Sequence, residues 1–186
     1  LAYGLLVVFV VALVQQLDAA KQPVELRYRN SFESVAALAR GECDLAGFHV
    51  PIGEFEAAAA QHYRRWLRGD THCLAHLAVR TQGLFAAPGN PLRVRSLDDL
   101  KRKDLRFVNR PEGSGTRMLT ELMLAKRAVS PADVQGFESA EFTHAAVAAF
   151  IASGMADVGI GVQTAAHRFG LHFIPLVRER YFLALD

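Results

Sequence analysis

Helix and strand signals alternate along this chain of 186 residues, and the alternation limits the folds that are open to it. Apolar residues recur with helical spacing in some segments and with strand spacing in others. The helical patterns cover 30–41, 54–68, 115–127 and 141–154, and the strand patterns cover 24–28, 44–48 and 105–109. A β-α-β-α order predicts an α/β protein with mostly parallel sheets flanked by helices.

Two stretches of the sequence repeat one pattern of helix, glycine, aspartate and strand. The first is "ALARGECDLAGF" (37–48) and the second is "AFIASGMADVGIG" (149–161), with Gly41 and Asp44 matching Gly154 and Asp157. The repeat predicts two similar α/β lobes with a ligand cleft between them. At the same offset the helix after "GSG" falls on the N-terminal apolar stretch, so the first strand of the first lobe is expected to be absent from this sequence.

The N-terminal stretch "LAYGLLVVFVVALV" is open to three interpretations. Its fourteen residues are fewer than the roughly 20 that a membrane-spanning helix needs, so no transmembrane span is predicted. The apolar region of a signal peptide has a similar composition, but no basic segment precedes it here. The repeat favours the third interpretation, a buried core helix.

Composition and charge exclude several classes of protein. Hydrophobic residues make up 51% of the chain and charged residues 22%, which is typical of a folded globular domain. A formal net charge of +2 is too small to indicate direct nucleic-acid contact by this domain. Because Cys43 and Cys73 match no zinc pattern, we expect reduced thiols, no metal site and no cofactor.

Three predicted helices begin where ligands of α/β proteins bind, at the carboxyl ends of strands. Their first residues are Asn30–Ser31, Ser114–Thr116 and Thr143–His144. A helix N-terminus carries unpaired N–H groups and a partial positive charge, so it attracts anions. These three helix starts therefore predict one anion site in the cleft.

The turn "NRPEGSGTR" is the most distinctive of the three helix starts. Gly115 lets the backbone approach a ligand closely, and Arg110 and Arg117 supply guanidinium groups that suit oxyanions. His49 follows a predicted strand at its carboxyl end and is a further candidate donor. Catalysis is not predicted, because the turn is neither a G-x-S-x-G elbow nor a Walker A loop.

Each candidate residue also has a plain structural interpretation. Ser114 and Thr143 are suitable helix caps, and caps occur on most helices. Arg110 and Arg117 are also suitable as surface charges. A solvated or structural role for His144 is as consistent with the sequence as anion binding is. These alternatives stay open on the sequence alone.

A family resemblance rests on four segments: "LAVRTQGLFAAPGNPLRVRSLDDL", "RFVNRPEGSGTRMLTELML", "EFTHAAVAAFIASGMADVGIG" and "FIPLVRERYFLAL". Together they resemble the type II periplasmic-binding-protein-like domain related to molybdate- and tungstate-binding proteins and to sensor domains of molybdate-type transcriptional regulators. The resemblance covers residues 24–185 and implies a two-lobed fold that closes on its ligand. It implies oxyanion contacts by Ser114, Gly115, Thr116 and Arg117 in the second lobe, with Ser31 as their partner in the first lobe and Thr143 facing the same cleft.

The resemblance also implies the function, which is binding of a small tetrahedral oxyanion, molybdate or tungstate, without catalysis. One role is a periplasmic solute receptor that serves an ABC transporter permease. The alternative is the effector-binding domain of a cytoplasmic bacterial regulator, fused to a DNA-binding helix-turn-helix. An enzyme of molybdenum-cofactor metabolism is a third reading. The sequence does not decide between periplasm and cytoplasm.

The order of elements also predicts the lobe boundaries. We assign residues 1–80 and 175–186 to lobe I and residues 81–174 to lobe II, with the ligand cleft between them. The chain then crosses between the lobes near 78–88 and 172–178, and we expect the hinges of closure there.

Overall fold

The computed structural model describes residues 12, 14–16, 18–21 and 24–185, and the elements below all lie from residue 24 onward. The α-helices are α1 (Ser31–Ala39), α2 (Glu56–Tyr63), α3 (Gly115–Lys126), α4 (His144–Ala152) and α5 (Gln163–Arg168). Short 3-10 helices cover Leu97–Lys101 and Pro131–Asp133. The strands are β1 (Leu45–Pro51), β2 (Cys73–Ala86), β3 (Phe107–Val108), β4 (Val158–Val162) and β5 (His172–Leu185).

The strands form one sheet in the order β1-β5-β2-β4-β3 within the described residues. The predicted α/β class is confirmed, but the expectation of mostly parallel pairing is wrong. Among the described strands, only β3 and β4 pair in parallel, whereas β1 with β5, β5 with β2, and β2 with β4 are antiparallel. The reason is that the last strand, β5, inserts between β1 and β2, so consecutive strands of the first half are not sheet neighbours.

The helix ends follow local capping chemistry, as the sequence predicts. Asn30 Oδ1 accepts the Glu33 N–H at 2.8 Å at the start of α1, and Thr143 Oγ1 accepts the Ala146 N–H at 2.9 Å at the start of α4. Both helices end before a glycine with positive φ, which an L side chain would strain: Gly41 at 68° and Gly154 at 76°. The repeated pattern therefore marks two equivalent helix-to-strand connections.

Two predicted elements differ from the structure. Residues 24–30 contain no regular secondary structure, and Tyr28 is 78% exposed, so the strand expected at 24–28 is absent. Alternating side chains alone do not make a strand, because its backbone needs a neighbouring strand to bond. The helix expected over 54–68 is only α2, because the chain turns after Tyr63.

The buried apolar residues of the described ranges form three clusters. One joins α1, α2 and β1 to the end of β5 and contains Val35, Leu38, Ala46, Phe48, Val50, Tyr63 and Ala184. The other two lie within 84–171, with Leu84 in one and Phe85 in the other, on opposite faces of β2. Strands β2 and β5 are long enough to extend past the first cluster and past the part of the chain that holds the other two. The predicted lobe boundaries stay a prediction.

The N-terminal part of the chain bears on two further expectations. The predicted core helix falls mostly on residues outside the described ranges. Within the described residues, no helix has the length and apolar character that crossing a membrane requires.

Candidate functional site

A buried carboxylate lies where the two longest strands run side by side. Arg80 of β2 is opposite Glu179 of β5, and Arg80 Nε donates to Glu179 Oε1. Gln82 Nε2 donates to Glu179 Oε2 at 2.9 Å and to Thr116 Oγ1 at 3.1 Å. Only 2% of Glu179 and none of Gln82 is exposed. This network connects the middle of the sheet to the first turn of α3.

Three more side chains approach this network from separate elements. His49 lies opposite Tyr181 in the β1–β5 pair, with ring centroids 4.7 Å apart. Arg110 follows β3, and one of its terminal nitrogens donates to the Phe142 carbonyl oxygen at 2.8 Å. His144 is the first residue of α4. We call His49, Arg80, Gln82, Arg110, His144 and Glu179 the central cluster.

A glycine makes room for one of the histidines. A Cβ on Gly161 of β4 would lie 3.0 Å from His144 Nδ1, closer than most real Cβ contacts. The imidazole therefore packs directly over the β4 backbone. Tyr63 supports the other histidine, because its hydroxyl donates to the His49 carbonyl oxygen at 3.1 Å.

Four polar atoms of the central cluster are buried without a hydrogen-bond partner in the part of the chain that the structure describes. They are His49 Nε2, Gln82 Oε1, Arg110 Nε and His144 Nδ1. Buried polar groups in native proteins are nearly always satisfied, and an unsatisfied one is costly. Four such atoms in one cluster make it the candidate site for a group that is not part of the chain.

Burial and neighbouring charges shift the pKa values of the cluster. Burial, with Arg80 nearby, lowers the pKa of Arg110 to about 10, so its guanidinium stays charged at neutral pH. Burial lowers the pKa of His49 well below its usual value, and Arg80 and Arg110 act in the same direction. The pKa of His144 is lowered for the same reasons.

The charge balance of the central cluster follows from these shifts. Both imidazoles are neutral at pH 7, and Glu179 offsets one of the two arginines. One positive charge remains, and it favours an anionic ligand. The same atoms offer several donors to oxygen.

The glycine-rich turn that begins α3 lies directly against the start of α1. A Cβ on Gly115 would be 3.3 Å from Ser31 Oγ, and one on Gly113 would be 3.3 Å from Asn30 Nδ2. Ser114 Oγ accepts the Arg117 N–H at 3.1 Å and so caps α3. In this conformation the N-terminus of α1 therefore packs against the N-terminus of α3.

Arg117, an expected oxyanion contact, is engaged by protein groups in this structure. Its guanidinium donates to Glu121 Oε1 at 2.7 Å, to the Phe137 carbonyl oxygen at 3.0 Å and to Glu138 Oε1 at 3.1 Å. It also stacks over the Phe137 ring at 4.0 Å. An ordered oxyanion would have to displace these partners.

An open depression of about 490 Å³ lies beside the same turn. Its lining includes His62, Arg65 and Arg117, but also the carboxylates of Glu33, Glu112 and Glu121. Three carboxylates disfavour an anion there, whereas the central cluster has an excess of positive charge. We therefore place the candidate anion site at the central cluster.

The predicted site residues divide into three groups. His49, Arg110 and His144 belong to the central cluster, and Thr116 contacts it through Gln82. Ser31 and Gly115 lie at the contact between α1 and α3. Ser114 and Thr143 are helix caps, and Arg117 is held by its ion pairs. Their roles in ligand binding stay predictions.

Arg80, Gln82 and Glu179 were not predicted from the sequence as site residues. A signal was available, because "LAVRTQGLF" and "LVRERYF" place charged or amide side chains inside otherwise apolar strands. Polar side chains inside apolar strands are expected where two strands present them to each other or to a ligand.

Comparisons with known proteins agree with this architecture. The model of the PBP superfamily domain matches residues 14–186. The protein YvgK of Bacillus subtilis (strain 168) is 39% identical over 170 residues, which are 91% of this chain and 55% of YvgK. The chain thus spans about half the length of that curated relative.

Two solved structures show the same fold. The CcmR regulatory domain of Synechocystis PCC6803, in complex with 2-PG, matches with a TM-score of 0.67 and 20% identity over 96% of this chain and 82% of that one. The effector binding domain of QuiR, in complex with shikimate, matches with a TM-score of 0.67 and 14% identity over 98% of this chain and 81% of that one. At these identities the likeness concerns the fold alone, and it confirms the type II architecture.

The family match covers nearly the whole chain, and the solved structures share its strands and helices. The narrower relation to molybdate- and tungstate-binding proteins is not tested by these matches. The chain belongs to the periplasmic-binding-protein (PBP) superfamily.

Proposed function

We propose that this chain is a ligand-binding domain that holds a small oxyanion at the central cluster and performs no chemistry on it. The observation that carries the proposal is the set of four buried atoms without partners, on His49, Gln82, Arg110 and His144. An anion would bond the donors among them. It would also balance the positive charge that Glu179 leaves uncompensated.

Arg110 is the side chain best placed to select for charge. Arg80 is already paired with Glu179, whereas Arg110 makes its one side-chain bond to a neutral carbonyl oxygen. Its Nε is buried and has no partner among the described residues. A guanidinium in this state gains a charge-assisted bond when an oxyanion arrives, which a neutral ligand would not provide.

Of the two roles that the family offers, we favour the regulatory one. The two solved structures described above are a regulatory domain and an effector binding domain, and both contain bound small molecules. One of those molecules, shikimate, is a carboxylate. In this role the domain would report the anion to a DNA-binding segment of a cytoplasmic bacterial regulator. A solute receptor for a transporter is the alternative.

A titration with oxyanions tests the binding proposal. Molybdate and tungstate, which the family resemblance implies, are compared with phosphate and sulfate by calorimetry and thermal unfolding. A ligand at 100 times its dissociation constant stabilises the folded state by about 2.7 kcal/mol. For a domain of this size, that raises the melting temperature by roughly 5–10 °C. If no oxyanion raises it, the binding proposal fails.

Arg110→Gln locates the site. The variant removes a charged hydrogen-bond donor, so we expect the affinity to fall about ten- to one-hundred-fold. Arg95→Gln is the matched control, because Arg95 is exposed and outside the cluster, and it should leave the affinity unchanged. Equal affinity in wild type and Arg110→Gln would place the anion elsewhere.

A further inference from the structure

We infer that the ligand of the central cluster carries a hydrogen-bond donor, an O–H group, beside its anionic oxygens. This inference rests on the proposed function and narrows its ligand class. It favours hydroxylated carboxylates and singly protonated oxyanions over fully deprotonated anions such as sulfate, molybdate and tungstate.

The partners of Gln82 fix the orientation of its side-chain amide. A carboxylate can only accept hydrogen bonds, so the amide atom that contacts Glu179 Oε2 at 2.9 Å must be the NH₂ nitrogen. The same nitrogen contacts Thr116 Oγ1 at 3.1 Å. The amide oxygen is therefore fixed on the opposite side, where no described group donates to it.

Gln82 Oε1 can only accept a hydrogen bond. The residue is fully buried, so bulk water does not supply the missing donor. An anion that bears acceptor oxygens alone would satisfy Arg110, but it would leave this buried oxygen unpaired. A ligand hydroxyl supplies the missing proton, and a site of this kind discriminates against analogues that lack the hydroxyl.

The histidines contribute in the same direction. Burial and the neighbouring arginines favour the neutral form of His49 and His144, and a neutral imidazole has one donor and one acceptor nitrogen. Each ring can adopt the tautomer that complements a mixed donor–acceptor ligand. A site built only for a deprotonated oxyanion would gain more from permanent cations at these two positions.

Two matched ligand pairs test the inference with the wild-type chain. Phosphate and sulfate have similar shape, but phosphate keeps a proton at neutral pH and sulfate does not. Glycolate and acetate have the same charge and differ by one hydroxyl. We expect the protonated or hydroxylated member of each pair to bind at least about tenfold more tightly, as measured by calorimetry at pH 7.

The outcomes separate the inference from the proposed function. If sulfate and molybdate bind as tightly as phosphate, and acetate as tightly as glycolate, the donor requirement is overturned while oxyanion binding stands. If none of these anions binds, both fail.

Gln82→Leu tests whether the acceptor Gln82 Oε1 causes the preference for ligands with an O–H group. The variant removes Oε1, so the tenfold preference within each pair should fall to about one- to threefold. Gln135→Leu changes an exposed glutamine and should keep the full preference. A Gln82→Leu protein that folds and still discriminates tenfold would overturn the assignment. Because the wild-type comparison needs no variant, it decides the inference even if Gln82→Leu does not fold.

Discussion

Glu179 sets the net charge of the central cluster by pairing with Arg80. A buried carboxylate is tolerated only when it is paired and hydrogen-bonded, and Arg80 and Gln82 fulfil both conditions. These contacts neutralise the charge of Arg80 and occupy both carboxylate oxygens of Glu179. Arg110 is then the cation that the proposed ligand would meet, which is why its substitution is the sharper test of the proposed anion binding.

We predict from His49 and His144 that the fold is acid-sensitive in the absence of ligand. Burial, together with Arg80 and Arg110, lowers the pKa of both rings well below 6.5 in the folded state. As pH falls below about 6.5, the unfolded chain takes up protons that the folded chain excludes. The free energy of unfolding should therefore fall between pH 7 and pH 5, by up to about 1.4 kcal/mol per pH unit for each histidine.

Urea unfolding at a series of pH values measures this loss. The window from pH 7 to pH 5 isolates the histidines, because carboxylates such as Asp157, whose pKa Arg106 lowers, lose their contribution only at lower pH. His62→Gln, at an exposed position, should keep the wild-type slope, and His144→Gln should reduce it. A stability that does not change from pH 7 to pH 5 would show that neither ring is held neutral.

At the scale of elements, the pairing of β2 with β5 positions the cluster, and it depends on close backbone approach at one glycine. A Cβ on Gly83 would lie 2.2 Å from the Ile174 carbonyl oxygen and 2.7 Å from the Phe173 ring. The register of the pair shifts between Gln82 and Gly83, so the strand is irregular right beside the cluster. Any side chain at residue 83 would force the two strands apart.

Gly83→Ala should therefore weaken folding. We expect the free energy of unfolding to fall by about 1–3 kcal/mol, the usual cost of overpacking a dense interior. Gly69→Ala is the matched control, because an added Cβ there meets no atom within 4 Å. Chemical denaturation measures both variants. Equal stability of the two would contradict the tight pairing of β2 with β5.

Local chemistry explains why the helices were predictable and the cluster only in part. Caps and terminal glycines act over three or four residues, so α1, α3 and α4 begin and end near where the sequence places them. His49, Arg110 and His144 were found as candidates because they lie at ends of elements. Arg80 and Glu179 were missed because they are 99 residues apart and meet only once β5 has inserted beside β2.

At the scale of the whole molecule, the central cluster draws its side chains from regions that are far apart in sequence. His49 belongs to β1, Arg110 and His144 lie beyond residue 100, and β2 and β5 supply the rest. The predicted hinges at 78–88 and 172–178 fall within or at the ends of β2 and β5. A ligand that bonds groups from both regions favours the conformation that brings them together, to the extent of its differential affinity.

Ring-nitrogen NMR of the histidines tests the location of the anion most directly. The resonances of the seven histidines are followed during a titration with phosphate and assigned with single His→Gln variants. We predict that the resonances of His49 and His144 shift together, with the dissociation constant that calorimetry gives. The resonances of His62 in the open depression and of the exposed His167 should not shift. Shifts of His62 without shifts of His49 and His144 would place the anion beside the glycine-rich turn and contradict the assignment to the central cluster.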